Sequence, residues 1–404
     1  MPNKVLIAGG GIGGIAAALA CAKAGARVTV LERAAAFAEV GAGIQIGPNV
    51  TRVLHGWGLA QALAGVAVFP SHLQVRSAPS GRELGVLRLG DTARQRYGAP
   101  YATVHRADLH AVLLDAMRQN TGAELHLNAA LTGFVEYPER VAVEMQSGAA
   151  MEADVLLGAD GLWSAVRQQF LHDGPPRATG HLAYRAMVRQ ADLPAPLRSR
   201  HITAWLGPDL HVVQYPVRGG EWLNVVAIVL GTLASAGAGR NADGDSAGAN
   251  PWDHGTDTKF LRRALEGCCR PLQDLVAAIA DWRLWVLCDR PPMQGPQQHG
   301  GGRVALLGDA AHPMRPYLAQ GAGMAIEDAA ELGRVLACAA VEVPSAVHLY
   351  GQRRWQRNAR VQARAVRNGQ IFHARGWVQW GRDRALKLLG ERLLDLPWLY
   401  DCQA

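Results

Sequence analysis

The sequence predicts an α/β protein with a doubly wound domain, an antiparallel-sheet domain and a helical C-terminal tail. Two apolar runs, each broken by a glycine-containing turn before a helical pattern, are typical of buried parallel strands. They place the doubly wound domain in two pieces, residues 1–177 and 288–345. Over 178–287, apolar and polar residues alternate, which predicts antiparallel strands. Residues 346–404 form the predicted helical tail.

The first predicted unit is a βαβ arrangement at the N-terminus. Strands at Val5–Ala8 and Arg27–Leu31 are mainly apolar, and a helix over 15–24 joins them. Apolar strands of this kind are covered on both faces in a parallel sheet. Further along, the pattern predicts loop and helix over 33–65, a helix over 104–119, and short strands at 124–127, 141–145 and 155–157.

The turn after the first strand has the spacing GxGxxG, at Gly9, Gly11 and Gly14. The first glycine allows a sharp turn, the second lets the backbone approach a pyrophosphate, and the third lets helix pack on strand. The phosphates then lie at the positive end of the helix dipole. Glu32 ends the second strand, where a carboxylate can hold ribose hydroxyls. The pattern predicts a dinucleotide site rather than a purely structural turn.

A second turn of the same kind follows the apolar run 304–307 and contains Gly308 and Asp309. Two such turns far apart in one chain indicate a long cofactor held from both ends. FAD is the obvious candidate, although the first turn alone is equally compatible with NAD.

Two segments carry a family resemblance. Residues 154–167 and 308–313 resemble the DG and GD motifs of the flavoprotein aromatic hydroxylases, the group A flavoprotein monooxygenases. Together with the N-terminal glycines they follow the family order. The resemblance implies a doubly wound FAD-binding domain like that of p-hydroxybenzoate hydroxylase (PHBH-like), with NADH or NADPH as co-substrate. It also implies an aromatic acid as substrate and O₂ as oxidant.

The resemblance also implies cofactor contacts. Glu32 and Arg33 would contact the adenosine ribose, and Arg106 the pyrophosphate, which an arginine fork suits. Asp309 would hold the ribityl chain, and Asp160 would shape the region shared by FAD and NAD(P)H. An ordinary surface arginine is the alternative for Arg106.

Two loops are expected to face the flavin ring. The loop after Asp309 has two prolines and several small residues, which make a rigid turn that can approach a flat ring closely. A helix beginning near Gly321 would direct its positive end at the flavin. Gln45 resembles a residue of the opposite loop, with an ordinary polar loop residue as the alternative. The contacts expected from the first loop are Pro316, Gly321, Ala322 and Gly323.

His211 and Tyr215 are the candidate catalytic residues. Residues four apart on a strand point to one face, so both can face one pocket with Val213 between them. Hydroxylation of a phenolic ring calls for a general base, and the resemblance implies that His211 accepts the phenolic proton. It implies that Tyr215 orients the ring or its carboxylate. The alternative is a surface histidine and a core tyrosine.

Three further residues are candidates for contact with the substrate. Tyr317 lies in the loop after Asp309 and is expected to touch the ring. Arg185 and Arg315 are candidates for the substrate carboxylate, and either could instead support the structure.

The loops also bear on the substrate. The hydroxynicotinate branch of the family has histidines where this chain has Gln45 and Tyr317, which disfavours that substrate. The Gln45 loop and the length of the loop before Gly321 are more similar to the 3-hydroxybenzoate 6-hydroxylase branch, although that branch has a glutamine at Pro316. We expect conversion of 3-hydroxybenzoate to gentisate. The alternatives are conversion of salicylate to catechol, or oxidation of another aromatic or heteroaromatic ring.

Composition and the absence of certain motifs exclude other classes of protein. The formal net charge is +7, yet the chain has no zinc-finger, helix-turn-helix or RNA-binding signature, so we expect small anions rather than nucleic acid as partners. Six arginines over 347–368 fit a solvated helix face or one that pairs with acidic groups. The cysteines form no CxxC pair, so we expect free thiols and no metal site. Glu32 and Asp309 argue against a cofactor-free binding scaffold, and the halogenase Trp-x-Trp motif is absent.

The remaining expectations concern location and surface. The first strand starts near Lys4, so we expect no signal peptide, and no run of ~18 uncharged apolar residues could span a membrane. We therefore expect a cytoplasmic protein. Residues 231–257, rich in Gly, Ala, Asp and Ser, predict a surface insertion. The oligomeric state is open, with a homodimer among the options.

Overall fold

The computed structural model describes residues 3–37, 42–236, 254–255, 258–337 and 341–401. Its strands are β1 (Lys4–Ala8), β2 (Arg27–Leu31), β3 (Gly43–Ile46), β4 (Ala67–Val68), β5 (His72–Ser77), β6 (Glu83–Arg88), β7 (Ala102–His105), β8 (Glu124–His126), β9 (Leu131–Glu136), β10 (Val141–Met145), β11 (Ala150–Ala153), β12 (Val155–Gly158), β13 (Arg177–Arg189), β14 (Ile202–Gly207), β15 (Leu210–Val217), β16 (Trp222–Leu230), β17 (His254–Gly255), β18 (Arg283–Asp289), β19 (Gly300–Gly301) and β20 (Val304–Leu306). Its helices are α1 (Ile12–Lys23), α2 (Pro48–Gly56), α3 (Ala60–Val66), α4 (Gly90–Tyr97), α5 (Arg106–Asn120), α6 (Ala165–Leu171), α7 (Lys259–Ala264), α8 (Arg270–Ala277), α9 (Gly321–Leu336), α10 (Val343–Phe372), α11 (Gly376–Leu389), α12 (Glu391–Leu394) and α13 (Pro397–Tyr400).

A six-stranded sheet in the order β19-β20-β12-β1-β2-β8 forms the first layer. β1 pairs in parallel with β2 and with β12, while β19 runs antiparallel to β20. Residues 5–8 of β1 are buried because both faces of the sheet are covered. One core contains residues of β1, α1, α5, α9 and α10, and another contains residues of β10, β12 and α6. This layer confirms the predicted doubly wound sheet.

Helices α1 and α9 pack closely against each other on this sheet. A Cβ atom added at Gly333 would lie 2.9 Å from the backbone oxygen of Ala20, and one at Gly13 would lie 3.2 Å from the Cβ of Ala325. Larger side chains at the two glycines would push the helices apart, since packed interiors leave no such room. The close packing brings the N-termini of both helices to one side of the sheet.

The second large sheet has eight strands in the order β17-β18-β13-β16-β15-β14-β5-β6. Its pairs are antiparallel except for β14 with β5. Its register aligns Arg185 with Val226, and Val226 with Val213. The sheet confirms the predicted antiparallel architecture, and its central strands supply one face of the candidate site.

Several short elements differ from the sequence-based expectations. β3 lies in the stretch predicted as loop and helix, and β7 occupies the start of the stretch predicted as a helix from residue 104, so α5 begins at Arg106. These two strands pair antiparallel with each other. Both have four residues, too few to show a period of two against the helical alternative.

The first large sheet does not account for all of residues 1–177. Strands β5 and β6 belong to the eight-stranded sheet, because β5 pairs in parallel with β14. The stretch 72–88 therefore lies with the second sheet, which a division by linear boundaries could not show. The domain limits themselves stay a prediction.

The arginine-rich helix α10 pairs with acidic residues of α9. Arg354 is buried and donates to Glu327 at 2.9 Å and to Asp328 at 2.7 Å. Arg357 also donates to Glu327, and Arg353 donates to Glu331 at 2.9 Å. Buried ions of both signs must be paired to be tolerated. The structure therefore favours the second interpretation of the stripe, a helix face that pairs with acidic groups.

Parts of two predictions fall on undescribed residues. Of the predicted insertion, residues 237–253 and 256–257 lie outside the described residues, as do Cys338 and Cys402. Cys21, Cys268, Cys269 and Cys288 are free thiols. In the described part of the chain, no helix combines the length and apolarity that crossing a bilayer requires.

Candidate active site

A cavity of about 550 Å³ lies between the carboxyl ends of the parallel strands and one face of the eight-stranded sheet. This volume is typical of sites for small molecules. The cavity is lined by most of the residues predicted from the sequence, namely Gly9, Gly11, Glu32, Arg33, Gln45, Arg106, Asp160, His211, Tyr215, Asp309, Pro316, Gly321 and Ala322. The structure therefore brings together residues that are as far apart in the chain as Gly9 and Ala322.

The glycine turn has the shape that a pyrophosphate needs. Gly9 has φ = 101°, and a Cβ there would lie 2.5 Å from the backbone oxygen of Ala159. A Cβ at Gly14 would lie 1.9 Å from the oxygen of Gly9, so the third glycine lets α1 pack on the turn and does not itself line the cavity. Gly11 has no atom within 4 Å of its Cβ position and faces the cavity. The space beside Gly11 is where a ligand can approach the backbone.

The N-terminus of α1 completes this end of the cavity. Its first turn contains no acidic residue, and no side chain caps it. The free amides and the positive end of the helix dipole form an anion site. Beside them, the two carboxylate oxygens of Glu32 accept hydrogen bonds from the amides of Gly10 at 2.7 Å and Ala34 at 2.8 Å. These bonds fix the carboxylate at the edge of the turn, where ribose hydroxyls can donate to its remaining lone pairs.

Asp160 is held by the start of α6. Its carboxylate accepts hydrogen bonds from the Ser164 hydroxyl and from the amides of Ala165 and Val166. Burial raises the pKa of Asp160, while these bonds oppose the shift. Asp160 thus shapes the cavity wall by capping a helix, and its predicted role at the shared FAD and NAD(P)H region stays a prediction.

The opposite end of the cavity is formed by the second turn and the start of α9. Asp309 is exposed and lines the cavity, with a carboxylate oxygen 4.0 Å from the Cβ position of Gly321. The first turn of α9 contains no acidic residue and no side-chain cap. Gly323 lies beneath this turn, where a Cβ would be 2.8 Å from Val50, and so does not line the cavity. Across from α9, Gln45 is buried and accepts a hydrogen bond from the Tyr101 hydroxyl at 2.8 Å.

These features fit FAD. One end of the cavity offers a glycine turn without side chains, an uncapped helix and a fixed carboxylate, which suit pyrophosphate and ribose. The other end offers Asp309 for a polyol and a second uncapped helix for a ring with electronegative atoms. We therefore infer that Glu32, Arg33 and Arg106 would hold the adenosine diphosphate part. Asp309, Gln45, Pro316 and the start of α9 would hold the remainder.

The face of the eight-stranded sheet forms the second compartment of the cavity. His211, Val213 and Tyr215 of β15 all line it, as expected for alternate residues on one strand. On the neighbouring strands Val226, Ile228 and Arg185 line the same face. Apolar walls with a few polar groups are suited to an aromatic ring that carries polar substituents.

His211 is 2% exposed and has a defined partner. Its Nδ1 atom lies 2.8 Å from Nε2 of His373, which leaves Nε2 of His211 for the cavity. Burial lowers the pKa of His211 well below its usual value, and the neighbouring His373 adds to this. The imidazole is therefore neutral at neutral pH and can accept a proton.

Tyr317 lies next to the cavity wall. The residue does not line the cavity; its ring packs behind His211, with ring centroids 5.0 Å apart, and also meets Phe372. Its hydroxyl is buried without a hydrogen-bond partner. The side chain packs in a core cluster with Ala183 and Ile228, and its expected contact with substrate stays a prediction.

Tyr215 connects the two compartments. Its hydroxyl donates to the backbone oxygen of Gly43 at 2.7 Å, and the amide of Gly43 donates to Asn224 at 2.7 Å. Burial raises the pKa of Tyr215, so the phenol stays protonated. The ring faces the cavity while the hydroxyl holds the strand that carries Gln45.

Arg185 and Arg315 have different surroundings. Arg315 donates to Asp289 at 2.7 Å and does not line the cavity. Arg185 lines the cavity with its guanidinium over the ring of Trp285, 3.9 Å from the centroid, and its Nε has no hydrogen-bond partner. Burial lowers the pKa of Arg185 to about 10, so it is still a cation at neutral pH. In the described ranges, no carboxylate forms a salt bridge with Arg185.

Some residues of the site were missed by sequence reasoning. Asn224 and His373, which bond to the cavity residues Gly43 and His211, were not singled out. Neither were Trp163 and the short stretch 129–131, which line the cavity. No local pattern marks these residues, since each reaches the site through contacts distant in sequence. Arg185 was one of two open candidates, and the structure distinguishes them because Arg185 lines the cavity whereas Arg315 pairs with Asp289 outside it.

Comparison with known proteins agrees with this geometry. The family model for an FAD binding domain matches residues 3–220 and 296–365. The chain is 38% identical to 3-hydroxybenzoate 6-hydroxylase 1 of Aquipseudomonas alcaligenes, over 93% of this chain and 91% of that protein. It is also 38% identical to 3-hydroxybenzoate 6-hydroxylase of Polaromonas naphthalenivorans, over 98% and 95%. A solved salicylate hydroxylase substrate complex superposes with a TM-score of 0.81 at 25% identity, covering 100% of this chain and 96% of that one.

Proposed function

Since the chain belongs to the FAD-dependent aromatic hydroxylases, we propose that it converts 3-hydroxybenzoate to gentisate. Membership of the family makes FAD the cofactor, and NAD(P)H and O₂ the co-substrates. When bound, FAD would supply the redox chemistry, namely hydride acceptance from NAD(P)H and activation of O₂. The residues of this chain bind, orient and deprotonate the aromatic acid.

One observation carries the proposal. Two groups face the same cavity from one sheet: the neutral histidine His211 and Arg185, which has no salt bridge to any carboxylate among the described residues. A cation that is partly withdrawn from water gains most from an anionic ligand. A neutral imidazole can accept a proton from a ring hydroxyl. The pair thus suits a ring that carries both a carboxylate and a hydroxyl group.

In the proposed mechanism, Arg185 binds the carboxylate and Nε2 of His211 takes the proton of the ring hydroxyl. Loss of that proton places negative charge on the ring carbons ortho and para to the oxygen, which become nucleophilic. The ring of Tyr215 lies beside the substrate, and its bond to Gly43 holds that face in place. The buried sheet face excludes bulk water from the reacting carbon.

The spacing of the two groups supports an acid and a hydroxyl on ring carbons that are not neighbours, as in 3-hydroxybenzoate. Arg185 of β13 pairs with Val226 of β16, which pairs with Val213 of β15, so Arg185 and Val213 lie two strands apart. His211 precedes Val213 by two residues on β15. Standard sheet spacings then separate the Cα atoms of Arg185 and His211 by about 12 Å. The two groups therefore approach the ring from different directions. Neighbouring substituents, as in salicylate, fit this less well than those of 3-hydroxybenzoate.

The conversion of salicylate to catechol is the second candidate. The similarity to the salicylate hydroxylase substrate complex over the whole chain favours it. Other aromatic or heteroaromatic rings are the third option.

A panel of ring acids tests the proposal. Purified holoenzyme is mixed with 3-hydroxybenzoate, salicylate, 4-hydroxybenzoate and 6-hydroxynicotinate, with NADH or NADPH, and both cofactor oxidation and hydroxylated product are measured. We expect 3-hydroxybenzoate to have the highest kcat/KM and to yield gentisate. Both readouts are needed because a ring analogue can stimulate oxidation without being hydroxylated. Catechol from salicylate at a higher kcat/KM would contradict the substrate assignment.

The substitution Arg185→Gln is expected to raise KM for 3-hydroxybenzoate by about 10- to 100-fold, because a charge-assisted bond to the carboxylate contributes about 1.5–3 kcal/mol. The matched control is Arg189→Gln, four residues along β13, where the exposed arginine also lies over a tryptophan ring but outside the cavity. Steady-state kinetics with gentisate detection measure both. An unchanged KM in the Arg185 variant would place the carboxylate elsewhere.

The proposal extends to the cellular compartment. Cys268 and Cys269 are adjacent free thiols, and Cys21 is a buried one. Free thiols are typical of a reducing compartment, which supports the cytoplasm as the site of this activity.

A further inference from the structure

A second histidine lies directly behind the proposed base. Nδ1 of His211 lies 2.8 Å from Nε2 of His373, although the two come from β15 and from the residue after α10. Both are buried, at 2% and 9% exposure. Phe372 and Tyr317 pack on the ring of His211 at centroid distances of 5.5 and 5.0 Å. The contact between the two imidazoles is therefore shielded from water.

The chain around His373 is fixed to the start of β15. The backbone oxygen of His373 accepts a hydrogen bond from the amide of Asp209 at 3.1 Å, and Arg375 forms a salt bridge with Asp209. These contacts hold the His373 ring at hydrogen-bond distance from His211. An unconstrained loop would not keep that geometry.

A path leads from His373 towards the surface. The ring of His181, which is only partly buried, has its centroid 5.2 Å from that of His373. Nδ1 of His181 lies 3.0 Å from the backbone oxygen of Thr179 and donates to it, which leaves Nε2 of His181 as an acceptor. Nδ1 of His373 is buried without a hydrogen-bond partner. The three rings form a row from the cavity to a partly exposed side chain.

The bond between the two histidines sets the tautomer of His211. One proton lies between Nδ1 of His211 and Nε2 of His373. If His211 holds it, Nε2 of His211 is a lone pair facing the cavity and can accept a proton from substrate. If His373 holds it, Nε2 of His211 carries hydrogen and cannot act as a base. A working base at His211 therefore requires His373 to act as acceptor.

We propose that His211 and His373 form a two-histidine proton relay that carries the hydroxyl proton of the substrate from the cavity towards the surface. The O–H bond of the substrate breaks as an N–H bond forms at Nε2 of His211. The Nδ1–H bond of His211 breaks as an N–H bond forms at Nε2 of His373, and the Nδ1–H bond of His373 then breaks as its proton passes to Nε2 of the partly exposed His181, which releases it to solvent. No electrons are transferred, and the positive charge ends farther from the cavity. The relay rests on the proposed role of His211 as base.

The charge states suit a relay. Burial lowers the pKa of His373 to about 4, with a further contribution from His181, and lowers the pKa of His211 well below its usual value. Both rings are neutral at rest, so each can accept a proton. Neither retains one for long, because the protonated forms are disfavoured by burial. His373 does not touch substrate and is a positioning residue that acts through His211.

Two substitutions separate a relay from a structural role. In His373→Gln, the amide oxygen can still accept a hydrogen bond from His211 but cannot take up its proton. In His373→Phe, both capacities are lost while the ring volume is kept. The control is His348→Gln, an exposed histidine on α10 away from the cavity. FAD content reports on folding in all variants.

The test uses 3-hydroxy-4-nitrobenzoate, whose phenolate absorbs visible light, bound to holoenzyme at a pH where the free probe keeps its proton. We expect wild type and the control to bind it as the phenolate. In both His373 variants we expect the phenolate fraction, and kcat for 3-hydroxybenzoate, to fall by about tenfold or more with KM within about twofold. Wild-type values in His373→Gln would overturn the relay. A wild-type enzyme that binds the probe as the phenol would overturn both the relay and the base assignment.

Discussion

The substitution His211→Ala is expected to lower kcat for ring hydroxylation by about 10²- to 10⁴-fold, the usual contribution of a general base. Without the imidazole the ring hydroxyl keeps its proton, and the ortho and para carbons are poor nucleophiles. FAD binding should not change, because His211 lies on the sheet face of the cavity and away from the glycine turn. NAD(P)H oxidation should continue with little gentisate formed, so the two rates separate.

The measurement combines steady-state kinetics, product analysis and the flavin absorbance of the purified variant. His126→Ala is the control, since His126 is exposed on the edge strand β8 and does not line the cavity. Unchanged hydroxylation in the His211 variant would show that another group removes the proton, and the proposed mechanism would have to be abandoned.

Substitutions at the glycines of the first turn are expected to give the second large effect, on folding and on FAD binding. Gly14→Ala places a Cβ 1.9 Å from the oxygen of Gly9, so α1 cannot pack on the turn and we expect no stable holoenzyme. Gly11→Ala meets no protein atom within 4 Å, so the chain should fold. Its methyl group would instead occupy the space where the pyrophosphate approaches the backbone, and we expect Kd for FAD to rise at least about tenfold.

Gly65→Ala is the matched control, because this exposed position in α3 also has nothing within 4 Å of its Cβ and is far from the cavity. Thermal unfolding followed by circular dichroism reports the fold, and titration of apoenzyme with FAD reports affinity. Tight FAD binding by the Gly11 variant would show that the cofactor does not pass this turn.

The cofactor end of the site could be predicted from the sequence because its pattern is local. Gly9 and Gly14 are five positions apart and contact each other, so their spacing in the sequence is enough to predict the contact. Glu32 follows β2, whose apolar run is visible in the sequence. The second turn has the same pattern, an apolar strand followed by a glycine and an acidic residue, Asp309. In each case the residue type and its neighbours in the chain determine the geometry.

The substrate end could be predicted only in part, because its chemistry depends on contacts between distant segments. Among the described residues Arg185 has no salt bridge to a carboxylate, whereas Arg315 donates to Asp289, 26 positions earlier in the chain. No local pattern marks this difference. His373 meets His211 across 162 positions. The packing of the Tyr317 ring against His211 could not be predicted for the same reason, since the composition of its loop does not determine which residues the ring will contact.

The backbone of Gly43 ties the substrate compartment to the cofactor compartment. Tyr215 and Asn224 hold its carbonyl and amide, and a Cβ at Gly43 would lie only 2.7 Å from the Tyr215 ring. We therefore expect a ligand that shifts the Tyr215 ring to move β3 as well, and with it Gln45, the residue proposed to lie beside the flavin. Binding of substrate would then change the wall of the cofactor compartment.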